Sequence, residues 1–108
     1  MAKYVLIESR DPFESNDVAF CRDLASQLKR EGEDVTVFLV QNGVLPARAG
    51  AASAQLTELT KTGIDVLADA FSLSERGITT DRLAAGIKPA PLDFVIDAMA
   101  GGSRVLWH

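Results

Sequence analysis

Six consecutive residues, Val35-Thr36-Val37-Phe38-Leu39-Val40, leave this chain few architectures. They are β-branched or apolar on both faces. That pattern fits a strand covered on both sides, as in a parallel sheet with helices above and below. The rest of the chain repeats the theme. Tyr4-Val5-Leu6-Ile7, Ile64-Asp65-Val66-Leu67-Ala68 and Arg104-Val105-Leu106-Trp107 are strand-length runs, and Ile87-Lys88 adds a short edge strand. Between them lie segments of helical period. Val18, Cys21, Leu24, Ala25 and Leu28 share one helix face. Ser15, Asn16 or Asp17 is placed to cap that helix, Lys29 and Arg30 sit in its last turn, and Gly32 suits its end. Residues 51–61 form a second helix with Leu56 and Leu59 on one side, stopped by Gly63. Residues 70–75 form a third, and Thr80-Asp81 caps a short one over residues 82–85. Pro91 fits the first turn of a last helix, whose apolar face is Leu92, Val95, Ile96 and Met99. Gln41-Asn42-Gly43-Val44 reads as a turn.

Strands that alternate with helices imply βαβ units and a mostly parallel sheet with helices on both faces. A chain of 108 residues supplies one such domain. With 47% apolar and 24% charged residues it has the composition of a folded globule, not of a disordered segment.

Function classes fall away on charge and on chemistry. The net charge is −4 and no basic run stands out, which disfavours nucleic-acid or anionic-membrane partners. No apolar run reaches the ~20 residues of a membrane span. Met1-Ala2-Lys3 leads straight into a strand, so no signal peptide is expected, and the expected location is the cytoplasm. A single cysteine excludes an intramolecular disulfide and a cysteine-rich metal site, and a single histidine excludes most histidine metal sites. Neither a G-x-G-x-x-G nor a Walker A phrase is present, so no nucleotide is implied, and no cofactor or metal is expected.

Open parallel sheets bind ligands beyond the carboxyl ends of their strands. That rule selects the polar stretch Glu8-Ser9-Arg10-Asp11-Pro12, which cannot continue a buried strand, then Gln41 and Asn42, then Asp69. A crevice lined by Arg10, Gln41, Asn42 and Asp69 is the candidate binding site. Asp69 also stands where a helix begins, and helix capping is the favoured account of it. Cys21 points at the core from its helix face, where a thiol is inert. His108 reads as a solvated residue, and nothing brings it near a chosen serine. Phe94 and Trp107 read as core or interface residues. Phe13 and Phe20 flank the first helix, and an exposed Phe on so small a domain suggests a subunit contact.

Residues 4–44 resemble the DsrE/DsrF-like family of sulfur-relay proteins, with a short first strand, a polar loop, a helix and the phrase Phe38-Leu39-Val40-Gln41-Asn42-Gly43-Val44. Arg76-Gly77-Ile78 is similar to the family's Arg-Gly-Ile/Val. Ser103-Arg104-Val105-Leu106-Trp107 is similar to its closing strand. The resemblance implies a three-layer α/β/α sandwich with a mostly parallel five-strand sheet, assembled as a homotrimer or homohexamer, with sulfur-relay proteins as partners. In sulfur-carrying members a cysteine just after the third strand holds a persulfide. The matching position here is at or near Asp69, and no cysteine lies there. Three readings follow. The chain is a binding or structural subunit without the carrier thiol, or a persulfide carrier that uses Cys21, or a small-molecule enzyme with Asp69 as acid or base.

Overall fold

The structure is a computed structural model that describes residues 2–11 and 18–108. Among these, the order is β1 (Lys3–Glu8), α1 (Val18–Arg30), β2 (Asp34–Leu39), a 3₁₀ segment (Gln41–Ala47), a 3₁₀ turn (Ala51–Ser53) running into α2 (Ala54–Lys61), and β3 (Asp65–Asp69). Then come α3 (Ala70–Glu75), a 3₁₀ turn (Thr80–Arg82), β4 (Ile87–Ala90), α4 (Asp93–Ala100) and β5 (Arg104–Trp107). The strands form one sheet in the order β4-β3-β2-β1-β5, and every neighbouring pair is parallel. The chain has the expected α/β/α architecture, with β2 at its centre.

Alternation along the strands sorts side chains onto two faces. Val35, Val37 and Leu39 of β2 join Leu6 of β1 and Val66 and Ala68 of β3 in one cluster, closed by Cys21 and Ala25 of α1, Leu56 and Leu59 of α2, and Leu73 of α3. Phe38 and Val40 face the other way with Val5 and Ile7, and among the described residues α4 is the helix that covers them, through Phe94, Val95 and Ala98. Phe38 and Phe94 stack with ring centroids 5.9 Å apart and planes 3° from parallel. Among the described residues, three helices therefore cover one face and a single helix the other.

Several local expectations change. Glu8 is not loop. It ends β1 in register with Leu39 and is buried, because its carboxylate has partners there. The Gln41–Val44 turn extends as 3₁₀ structure to Ala47, with Pro46 inside it. Gln41 begins it in the left-handed region, at φ +51. Residues 82–85 make no helix. The 3₁₀ turn stops at Arg82, and Leu83 instead bridges Arg48 in antiparallel pairing, flanked by bonds from Ala49 N to Arg82 O and from Ala84 N to Ala47 O. The apolar face expected on α4 is split. Phe94, Val95 and Ala98 point at the sheet, while Leu92, Ile96 and Met99 form an exposed stripe at i, i+4 and i+7. The sheet took the bulkier, aromatic side of a helix that is apolar almost all round.

α1 ends as its sequence implies, with Lys29 and Arg30 in the last turn and Gly32 beyond at φ +86. The expected capping residues Ser15, Asn16 and Asp17, together with Pro12, Phe13 and the side chain of Val18, lie outside the described residues. Among the described residues no helix is long and apolar enough to cross a membrane.

Candidate functional site at the carboxyl edge of the sheet

β3 ends in Asp69, and α3 starts directly after it. Asp69 is the N-cap of α3. Its Oδ2 accepts from the Ser72 backbone N at 3.0 Å and from Ser72 Oγ at 2.7 Å. Ser72 Oγ in turn accepts from the Gln41 backbone N at 2.8 Å. The left-handed turn at Gln41 aims that N–H across from β2. Asn42 follows, and its Oδ1 accepts from Arg76 Nε at 3.2 Å and Nη2 at 3.0 Å. Arg76 also donates from Nη1 to the Ser72 carbonyl at 3.3 Å and lies 4.0 Å from Glu75. The structure thus brings together Gln41, Asn42 and Asp69, three of the four residues expected to line the crevice. Ser72 and Arg76 join them. Nothing in the sequence singled out Ser72 as a site residue, whereas the Arg76-Gly77-Ile78 phrase was the available signal for Arg76.

Arg10 sits on the β1 side. With Glu8, Cys21, Arg22 and Gly43 it lines a cavity of about 20 Å³, room for roughly one water. Gly43 packs so closely on the Glu8 carbonyl oxygen that any Cβ there would overlap it. That contact locks the turn after β2 onto the end of β1. Cys21 is 4% exposed. Burial, reinforced by the Glu8 carboxylate, pushes its thiol up to about 12, although Arg22 acts in the opposite sense. At neutral pH it is a protonated thiol packed in the core.

His108 is the residue that sequence reading misjudged. It continues β5 past Trp107, donating from its backbone N to the Ile7 carbonyl at 2.7 Å and accepting from Ser9 N at 3.0 Å and Ser9 Oγ at 3.1 Å. Its ring Nδ1 lies 2.9 and 3.1 Å from the two carboxylate oxygens of Glu8. Glu8 Oε2 also accepts from the Arg10 backbone N at 3.2 Å. No periodicity links residues 100 positions apart. Only the β1–β5 pairing brings them together.

A sequence profile described as the DsrE/DsrF-like family matches residues 2–107. The chain belongs to the DsrE/DsrF-like family. Solved structures carry the same fold. The ychN protein from E. coli superimposes with a TM-score of 0.91 at 22% identity, over 100% of both chains. MTH1491 from Methanobacterium thermoautotrophicum, a protein of unknown function, gives 0.89 at 18% identity, again over 100% of both. BT1422 from Bacteroides thetaiotaomicron, a conserved protein of unknown function, gives 0.79 at 18% identity over 98% of this chain and 94% of its own. No curated protein matches significantly. In this DsrE-like chain, then, the end of the third strand is held by a capping carboxylate, and the one thiol lies buried on the first helix.

Proposed function

We propose that this is a DsrE-like protein that carries no sulfur itself and acts as a binding or structural subunit of a homo-oligomer, a trimer or hexamer, in cytoplasmic sulfur metabolism. The observation that carries the reading is the state of Asp69. A carboxylate cannot hold a sulfane sulfur, and this one is occupied by Ser72 N and Oγ. The buried, protonated Cys21 supports the same reading, because persulfide transfer needs an accessible thiolate. Self-assembly is supported by the exposed apolar stripe on α4 and by Trp107, 64% exposed on the same face of the sheet. The binding surface would be the Gln41, Asn42, Asp69 and Arg76 cluster, with Arg10 one strand away and relay proteins as the partners.

Intact-mass spectrometry after exposure to a persulfide donor tests the first part, with Cys21→Ala as control. The expected result is no added sulfur on the native protein. A gain of one sulfur atom that the variant loses would sink this reading in favour of a carrier using Cys21. Light scattering on a size-exclusion column tests the second part, and a monomer at all concentrations would overturn it.

A further inference from the structure

The Glu8–His108 pair belongs to neither the Asp69 cluster nor the α4 stripe, and the family reading makes no use of it. Five observations converge on it. Glu8 is 3% exposed, so its carboxylate must be paired, and it takes the ring Nδ1 with both oxygens. An Nδ1 facing a carboxylate carries the proton. The neutral ring is thereby fixed in the tautomer whose lone pair sits on Nε2. Among the described residues, Nε2 has no hydrogen-bond partner, and the side chain is 25% exposed. The backbone is pinned on both sides by Ile7 and Ser9, so the ring is mounted on a rigid strand end. The Phe20 ring, 63% exposed, lies 5.9 Å from the imidazole and gives it an apolar flank. The pair stands at the carboxyl ends of β1 and β5, the edge where open parallel sheets bind ligands.

We infer that His108, positioned by Glu8, is a proton-accepting site for a small ligand that offers a weakly acidic O–H group on an aromatic or apolar body. The ligand's O–H points at Nε2 and its body rests against Phe20. On transfer, the O–H bond breaks, the proton joins Nε2, and the electron pair stays on the ligand oxygen. Glu8 then balances the imidazolium through Nδ1–H. Glu8 is the positioning residue, because it acts only through the ring. This inference is independent of whether the protein carries sulfur.

The chain has one histidine, so the readouts are unambiguous. Nitrogen-15 NMR of the ring, at a pH where free imidazole is neutral, is expected to show the proton on Nδ1 and the lone pair on Nε2. Titration with phenol should move the Nε2 resonance in the wild type, and less in Phe20→Ala. Diethyl pyrocarbonate, which acylates an unprotonated imidazole nitrogen, should add one ethoxycarbonyl group at His108, located by peptide mapping. In Glu8→Gln the tautomer should shift toward Nε2–H and acylation should slow about tenfold. Nε2–H in the wild type would overturn the inference. So would an unmodified His108 under conditions that consume N-acetylhistidine, or an Nε2 resonance that phenol does not move. A Glu8→Gln protein with the wild-type tautomer and rate would remove the positioning role. If that variant does not fold, the wild-type measurements still decide.

Discussion

Cys21 shows how a single residue's surroundings set its chemistry. The thiol is raised from 9.0 to about 12, first by burial and then by Glu8. In the folded protein it therefore binds its proton more tightly than in the unfolded chain. The stability tied to this group is fully present below pH 9 and is lost as the pH rises from 9 toward 12. Urea midpoints measured across that range should fall in the wild type and fall less in Cys21→Ala. Iodoacetamide at neutral pH should label Cys21 only after unfolding. Asp69 carries a structural load of its own. Asp69→Ala removes two acceptor contacts at the start of α3 and leaves Ser72 Oγ with only the Gln41 N–H. The expected cost is about 1–2 kcal/mol in chemical denaturation, with Asp69→Asn losing less because its amide oxygen still accepts from Ser72 N. Both residues were visible as candidates in the sequence. Cys21 was placed at the core by its helix face, and Asp69 caps α3 through Ser72, three residues further along.

α4 is where helical periodicity misled. Leu92, Val95, Ile96 and Met99 are spaced as one stripe, and so are Phe94, Val95 and Ala98. A helix apolar on two sides has no unique inner face in its sequence. The stacked Phe38–Phe94 pair shows which side the sheet accepted. The leftover stripe gives the assembly prediction. If the chain assembles as proposed, Ile96→Lys with Met99→Lys should convert that proposed oligomer to monomer on a size-exclusion column with light scattering. Since both side chains are exposed, at 58% and 61%, the monomer's own stability should change by no more than about 0.5 kcal/mol. An intact oligomer in the double variant would assign assembly to another face. β4, by contrast, carries its own protection. Pro89 lacks the N–H that an added edge strand would use.

At the scale of the whole molecule the two clusters meet across β2. Phe38 is fully buried in the thinner one, under α4. Phe38→Ala should cost about 3–5 kcal/mol, a large share of the roughly 5–15 kcal/mol that a domain of this kind has to spare. Urea unfolding followed by tryptophan fluorescence and by far-UV circular dichroism should shift to a lower midpoint, with both signals still changing together. Separated transitions would mean that the α4 layer comes away from the sheet before the rest unfolds.

The alternation of strands and helices and the parallel sheet were legible in the chain itself. They rest on local periodicity and on one strand apolar on both faces, and both are properties of neighbouring residues. Three of the expected crevice residues also come together, because the carboxyl ends of adjacent parallel strands must be neighbours. Tertiary structure alone decided the rest. Ser72 became the link between Asp69 and Gln41 because α3 starts beside the turn after β2. Arg10 was set apart with Cys21 because β1 lies one strand further over. Glu8 can be buried because β5 returns beside β1 and delivers His108 from 100 positions away as its partner. Spacing along a chain carries no record of such a contact, since closing a loop of that length depends on the sheet order and not on the residues within it.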